Sequence, residues 1–235
     1  MEISKYIDST HLKTSQESFI SEDQNINIVR SVIQDSINYQ FKSVMIRSEY
    51  IGIAKELISN QESDVLIGTV VDFPFGRSRV EDKLIEMLDS INSGADELDC
   101  VCNYNLFKQG RFQEFDNEIQ SMTEMSRSHK KVIKWIIETG ALSDLEIKNI
   151  TKRISTIVMN DFSKFASNVF VKTCTGYYGG GGANIKNIKI MKSVIGDLLI
   201  KASGGISNLV QLKSLLAAGA DRIGTSKAVD IIKNQ

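Results

Sequence analysis

The chain has 235 residues, 42% of them hydrophobic and 24% charged, with a formal net charge of -1. That length suits one large α/β domain or two small ones, and the near-neutral balance gives no electrostatic case for nucleic acid or an anionic membrane surface. No apolar run approaches the ~20 residues of a membrane helix, and MEISKYIDST lacks a signal peptide's layout, so a cytoplasmic protein without a membrane partner is expected.

In chain order, strand-like apolar runs with β-branched residues fall at Tyr6–Thr10, Lys42–Arg47, Val65–Asp72, Glu97–Cys102, Val132–Thr139, Val169–Thr175, Leu198–Ser203 and Asp221–Thr225. Helix-period segments alternate with them at Asn25–Tyr39, Glu49–Asn60, Arg77–Ser93, Phe112–Ser128, Asp144–Val158, Asn184–Val194 and Asn208–Ala218, with a short one after Ser226. This alternation over a length near the ~250 residues typical of the fold predicts a (β/α)8 TIM barrel, with a doubly wound open sheet as the competitor. No linker composition divides the chain, so residues 1–235 are read as a single domain. Ser143 or Asp144 and Asn184 are placed to cap helices. Two joints, Ser93-Gly94-Ala95-Asp96 and Ala218-Gly219-Ala220-Asp221, read as helix-to-strand turns on the barrel's bottom face and are assigned no chemistry.

Three cysteines, an odd number, make no disulfide framework. Cys100 and Cys102 lie on one face of a strand without a second pair to complete a zinc site, so they read as core residues and no metal is expected.

The stretch with most chemical content is VFVKTCTGYYGGGG, Val169 to Gly182. A buried strand ends in Lys172, although burying an ammonium is costly. The pattern recurs in LLIKASGG, where Lys201 ends the seventh strand, and Asp99 lies in the fourth. On a barrel these three meet at the C-terminal face. Two ammonium groups in a partly dry site disfavour each other's charge, so one becomes a neutral nucleophile able to form a Schiff base with a carbonyl, with Asp99 holding Lys201 and relaying protons. The competing reading is a buried salt-bridge network that fills the barrel.

Glycines add a second signal. Gly204-Gly205 follow the seventh strand and Gly224-Thr225-Ser226 the eighth, the two loops that build phosphate sites in such barrels. The run Gly179–Gly182 lacks the layout of a dinucleotide fingerprint and reads as a mobile strand-to-helix loop, with Gly176 and Tyr177 nearest a ligand.

With these residues in view, the chain resembles the deoxyribose-phosphate aldolase family of class I, Schiff-base lyases. The matching strings run almost end to end: YIDSTHLK, TVVDFPFGR, GADELDCV, VIKWIIETGAL, VKTCTGY, IKASGGI and AGADRIGTS. The resemblance implies that Lys172 forms the Schiff base, Lys201 perturbs it and Asp99 completes a proton relay. It further implies cleavage of 2-deoxy-D-ribose 5-phosphate to D-glyceraldehyde 3-phosphate and acetaldehyde during deoxyribose phosphate catabolism, with no cofactor. Lys134 would lie close to the same carboxylate, Asp8 and Thr10 near the substrate's hydroxyls, and Thr175 beside the nucleophile. Gly176, Tyr177, Gly204, Gly205, Gly224, Ser226 and Lys227 would surround the phosphate. Other class I sugar-phosphate aldolases and transaldolases share the Schiff-base lysine but not the paired strand lysines.

Several positions depart from the family pattern. Cys174 replaces a serine, Met45 and Ser48 stand where a cysteine and a proline are common, and Ser9 stands in place of a histidine. His11, two places on, reads as a surface or packing residue, with a site group as the alternative. Ser207 replaces an arginine near the phosphate, for which Lys227 is expected to substitute, and Asn234-Gln235 lack the C-terminal tyrosine of some relatives. A phosphorylated sugar is the expected partner and a homodimer the expected assembly.

Overall fold

The structure, a computed structural model, describes residues 2–179 and 181–234. Eight parallel strands close into a barrel in sequence order: Ile7–Thr10 (β1), Ser43–Met45 (β2), Leu66–Val71 (β3), Glu97–Val101 (β4), Val132–Ile136 (β5), Val169–Lys172 (β6), Leu199–Ser203 (β7) and Arg222–Thr225 (β8). β1 closes the ring against β8 through the pairs Ile7↔Ile223 and Asp8↔Gly224. Every strand lies inside its sequence-predicted run, and the open-sheet alternative is excluded.

Helices wrap the outside: Ser15–Ser18 (α1), Glu22–Asn38 (α2), Ile51–Asn60 (α3), Val80–Ser93 (α4), Tyr104–Lys108 (α5), Phe112–Ser128 (α6), Asp144–Asp161 (α7), Ile185–Lys192 (α8), Leu209–Ala217 (α9) and Ala228–Lys233 (α10). Caps fix several of their starts. Ser143 and Glu146 form a capping box on α7, and Asn184 caps α8 by accepting from Asn187 N–H. No helix among the described residues is long and apolar enough to cross a membrane.

The period of two along each strand sorts side chains between two environments. Outward residues such as Leu98, Cys100, Ile133, Trp135, Val171 and Ile200 join the helices' inner stripes in one continuous apolar core. Inward positions are different: Asp8, Glu97, Asp99, Lys134, Lys172, Lys201 and Arg222 are all buried there, padded by Met45 and Phe170. The two repeated joints do structural work with one device. Asp96 accepts from Ile67 N–H at 3.0 Å and Asp221 from Ile200 N–H at 2.8 Å, each carboxylate tying its strand's start to the preceding strand.

Candidate active site

Register places the charged residues before any side-chain argument is needed. Asp99 pairs with Lys134, and Lys172 with Lys201, across neighbouring strands. Lys172 Nζ and Lys201 Nζ each lie 2.7 Å from the same oxygen, Asp99 Oδ2, and Lys134 Nζ stands 3.0 Å from Asp99 Oδ1. The chain thus brings Asp99, Lys172, Lys201 and Lys134 into one cluster.

Below this layer the cluster continues. Lys201 Nζ is 2.5 Å from Asp8 Oδ2, Arg222 reaches Asp8 Oδ1 at 2.7 Å, and Lys134 reaches Glu97 Oε2 at 2.6 Å. Asp8 thus faces the barrel interior. It is fully buried beneath Lys201 and does not line the cavity, because its two oxygens are taken by cations of the barrel interior. The charged residues form one buried ion network whose upper edge borders the cavity. Glu97 and Arg222 were not singled out from sequence, although inward alternation with Asp99 and Gly224 carried the signal.

Counting the network explains its electrostatics. Four cations, Lys134, Lys172, Lys201 and Arg222, face three carboxylates, Asp8, Glu97 and Asp99. In a dry interior the surplus positive charge favours the neutral amine for one member. Burial outweighs the attraction of Asp8 and Asp99 at Lys201, and with Lys134 and Lys172 adding repulsion its ammonium is lowered to about 8. At Asp99 burial works the other way, but the three lysines win and hold the carboxyl well below its ordinary range. At Lys134 burial is likewise overcome, and Asp8, Asp99 and Glu97 raise it well above an ordinary lysine.

Above Lys172 opens a cavity of about 310 Å³. Its lining includes Thr10, Thr175, Gly176, Tyr177, Gly204, Gly205, Gly224, Ser226 and Lys227, all expected from the sequence, together with His11 and Lys13. Lys172 reaches this space, whereas Lys201 and Asp99 stand behind it. That difference separates the two strand lysines: only Lys172 can meet a bound carbonyl. A larger surface hollow lies between α7 and α8, lined by Leu145, Lys148, Ile185 and Lys189.

The rim is stiffened by contacts the sequence did not disclose. Glu138, buried at a positive φ of 55° just past β5, accepts from Thr175 N–H at 3.0 Å and Thr175 Oγ1 at 2.5 Å, and Thr175 Oγ1 in turn accepts from Tyr177 N–H at 3.0 Å. The glycine run was expected to be a mobile loop. Within it, a Cβ on Gly179 or Gly181 would meet open space, whereas one on Gly182 would collide with Gly204 O, and Ala183 N–H donates to Gly204 O at 3.0 Å. Gly180, within that run, and Gln235, at the chain end, lie outside the described residues. Cys174 is buried with its Sγ 2.7 Å from Ser203 O, and burial pushes its thiol up. Lys227 is exposed beside Asp230 at 3.5 Å. No group of three or more His, Cys, Asp or Glu among the described residues is placed to hold a metal ion.

A closed parallel barrel carrying a buried lysine pair at the foot of a glycine-rimmed pocket defines a carbonyl-processing enzyme of the Schiff-base kind. Residues 3–233 match the model of the DeoC/LacD family aldolases, and the chain belongs to that family. It is 38% identical to the deoxyribose-phosphate aldolase of Staphylococcus carnosus over 99% of this chain and 96% of that one. Among solved structures, one from Coccidioides immitis, provisionally assigned as a deoxyribose-phosphate aldolase, superposes with a TM-score of 0.85 at 27% identity, covering 99% of this chain and 85% of that one. The deoxyribose phosphate aldolase of Aeropyrum pernix, described as a tetramer, gives 0.80 at 25% identity over 99% and 90%.

Proposed function

We propose that the protein is a class I aldolase that reversibly cleaves 2-deoxy-D-ribose 5-phosphate to D-glyceraldehyde 3-phosphate and acetaldehyde. The observation that carries the reading is the lysine pair sharing Asp99 Oδ2, with only Lys172 open to the cavity. Lys172 Nζ adds to the aldehyde carbon of the open-chain sugar, and loss of water leaves a cationic imine. Asp99, held ionised, stays beside that cation and stabilises it.

The imine is the electron sink. The C3 hydroxyl gives up its proton, the C2–C3 bond breaks, and its electron pair moves toward the imine nitrogen to form an enamine. D-Glyceraldehyde 3-phosphate leaves, the enamine takes a proton at C2, and water releases acetaldehyde and the free lysine. Asp99, hydrogen-bonded to both lysine nitrogens, connects them in a relay for these protons. Lys201, lowered to about 8, is the group poised to move them.

At the other end of the cavity, Gly204, Gly205, Gly224, Ser226, Gly176 and Tyr177 surround the phosphate, supported by Lys227. The assembly we propose is a homodimer, the commonest closed arrangement among soluble oligomers, which analytical ultracentrifugation decides. Borohydride reduction in the presence of acetaldehyde, followed by peptide mass spectrometry, tests the chemistry. A reduced two-carbon adduct on Lys172 is expected, and the absence of an adduct on any lysine overturns the reading.

A further inference from the structure

His11 stands at the end of β1, where its backbone N–H donates to Met45 O at 2.9 Å, and it is among the residues that line the cavity Lys172 enters. Behind it runs a chain of hydrogen bonds into the protein wall. His11 Nε2 lies 3.0 Å from Asn25 Oδ1, Asn25 Nδ2 lies 2.9 Å from Tyr50 Oη, and Tyr50 Oη lies 2.6 Å from Glu22 Oε1.

The direction of every bond in this chain is determined. A carboxylate only accepts, so the Tyr50 hydroxyl donates to Glu22 and accepts from Asn25. Asn25 Nδ2 also faces the backbone carbonyl of Lys13 at 3.4 Å, which again requires the amide nitrogen on that side. Asn25 Oδ1 must then accept from His11, which places the imidazole hydrogen on Nε2. In the neutral ring Nδ1 is left as an acceptor, and it has no hydrogen-bond partner among the described residues.

We propose that His11 is a substrate-binding residue, offering Nδ1 as a hydrogen-bond acceptor to a hydroxyl of the sugar phosphate. This rests on the aldolase reading and adds a specificity determinant to it. An acceptor disfavours phosphate oxygens, which at neutral pH chiefly accept, and selects O–H groups. Asn25 is fully buried on α2, so it holds the ring's orientation rather than meeting substrate, and an apolar side chain in place of His11 would leave Asn25 Oδ1 buried without a partner.

The chain contains two histidines, and the second, His129, is exposed on the far end of α6, so their ring nitrogens are readily told apart by long-range proton–nitrogen NMR. His11 is expected to carry its ring hydrogen on Nε2, bonded to Asn25 Oδ1. Its Nδ1 resonance should move when glycerol 3-phosphate is added and stay in place with inorganic phosphate. A proton on Nδ1, no response to glycerol 3-phosphate, or an equal response to both would overturn the proposal. In kinetics, His11→Phe should raise KM for 2-deoxyribose 5-phosphate roughly three- to tenfold with kcat nearly kept, the loss of one neutral hydrogen bond. An unchanged KM would also overturn it. Acetaldehyde carries no hydroxyl, so borohydride trapping on Lys172 should be the same in His11→Phe. Trapping that fails in the unaltered protein would refute the aldolase reading itself and not this one. Should His11→Phe not fold, the NMR titration decides alone.

Discussion

Lys172 on β6 and Lys201 on β7 are register partners whose ammonium nitrogens each lie 2.7 Å from a single oxygen, Asp99 Oδ2. Sharing one carboxylate oxygen keeps two like charges close, and only Lys172 opens into the cavity. Replacing Lys201 with methionine keeps its length and removes its proton. Lys201→Met should lower kcat by about a hundredfold to ten-thousandfold, the usual worth of a positioned acid–base group. The acetaldehyde adduct should still form on Lys172, more slowly. Steady-state rates alongside borohydride trapping make the comparison, and an unchanged kcat would remove Lys201 from proton transfer.

The position of Lys201 near 8 sets a pH dependence. If its neutral form is the working base, kcat/KM should rise through that region. Asp99→Asn removes one of the attractions opposing burial, so the rising limb should move to lower pH in whatever activity remains. The stability consequence has the same origin. An unfolded lysine keeps its proton to about 10.5, so between about 8 and that value the folded state binds fewer protons than the unfolded one. Lys201 therefore contributes rising stability with pH across that window. Asp8 and Asp99, both held well below the ordinary carboxylate range, contribute stability that is present above that range and lost as the pH falls beneath it. Chemical denaturation at a series of pH values, on the unaltered protein and on Lys201→Met, reads both signs.

A fourth buried lysine lies outside the site. Lys83 on α4 is fully buried, donating to Glu118 Oε1 at 2.7 Å, Val101 O at 2.8 Å and Gly76 O at 3.1 Å, with Asp72 Oδ2 at 3.2 Å. It pins the loop after β3 to the end of β4. Lys83→Met leaves Glu118 and Asp72 facing each other without their cation, and should cost about 3–5 kcal/mol of unfolding free energy. Urea unfolding measures it. A loss within the scatter of ordinary surface substitutions would show that the cluster is dispensable.

The eight strands were legible because each is a short β-branched run bounded by turn residues, and Lys172 and Lys201 were legible because charge at the end of such a run conflicts with burial. The partners of Asp8 were hidden for a physical reason. Its carboxylate is claimed by Lys201, Lys134 and Arg222, on strands more than a hundred residues away, and no local pattern reports such pairings. Lys83 and Asn25 were hidden in amphipathic helices, where a polar residue on the buried stripe looks like an ordinary irregularity. The five-residue α5 is too short to show a period. One histidine beside a strand, like His11, leaves site and packing roles open until Asn25, Tyr50 and Glu22 are seen behind it.

Lys227 is exposed and faces Asp230 at 3.5 Å, a pair that solvent screens, so its charge remains available to a phosphate in the cavity. Lys227→Ala should raise KM for 2-deoxyribose 5-phosphate about threefold to fivefold at low salt, with a smaller effect as salt increases, and leave unphosphorylated 2-deoxyribose unaffected. An unchanged KM for the phosphorylated sugar would show that the backbone cradle carries the phosphate without it.

Gly204 tests that cradle directly. Its φ of 95° lies in the left-handed region, and a Cβ there would sit 2.6 Å from Cys174 Sγ and 3.2 Å from Gly182 Cα. Both neighbours are fixed, Cys174 by burial against Ser203 O and Gly182 by its own packing on Gly204. Gly204→Ala must therefore shift the turn after β7, at a cost of roughly 1–2 kcal/mol for the backbone conformation alone. The displaced turn changes where its backbone faces the cavity, whereas Lys172, Lys201 and Asp99 stand on strands and keep their places. Acetaldehyde trapping on Lys172 should survive in Gly204→Ala while KM for 2-deoxyribose 5-phosphate rises, separating the phosphate end of the cavity from its chemical end. Equal loss of trapping and sugar-phosphate turnover would show that the turn also supports the lysine pair.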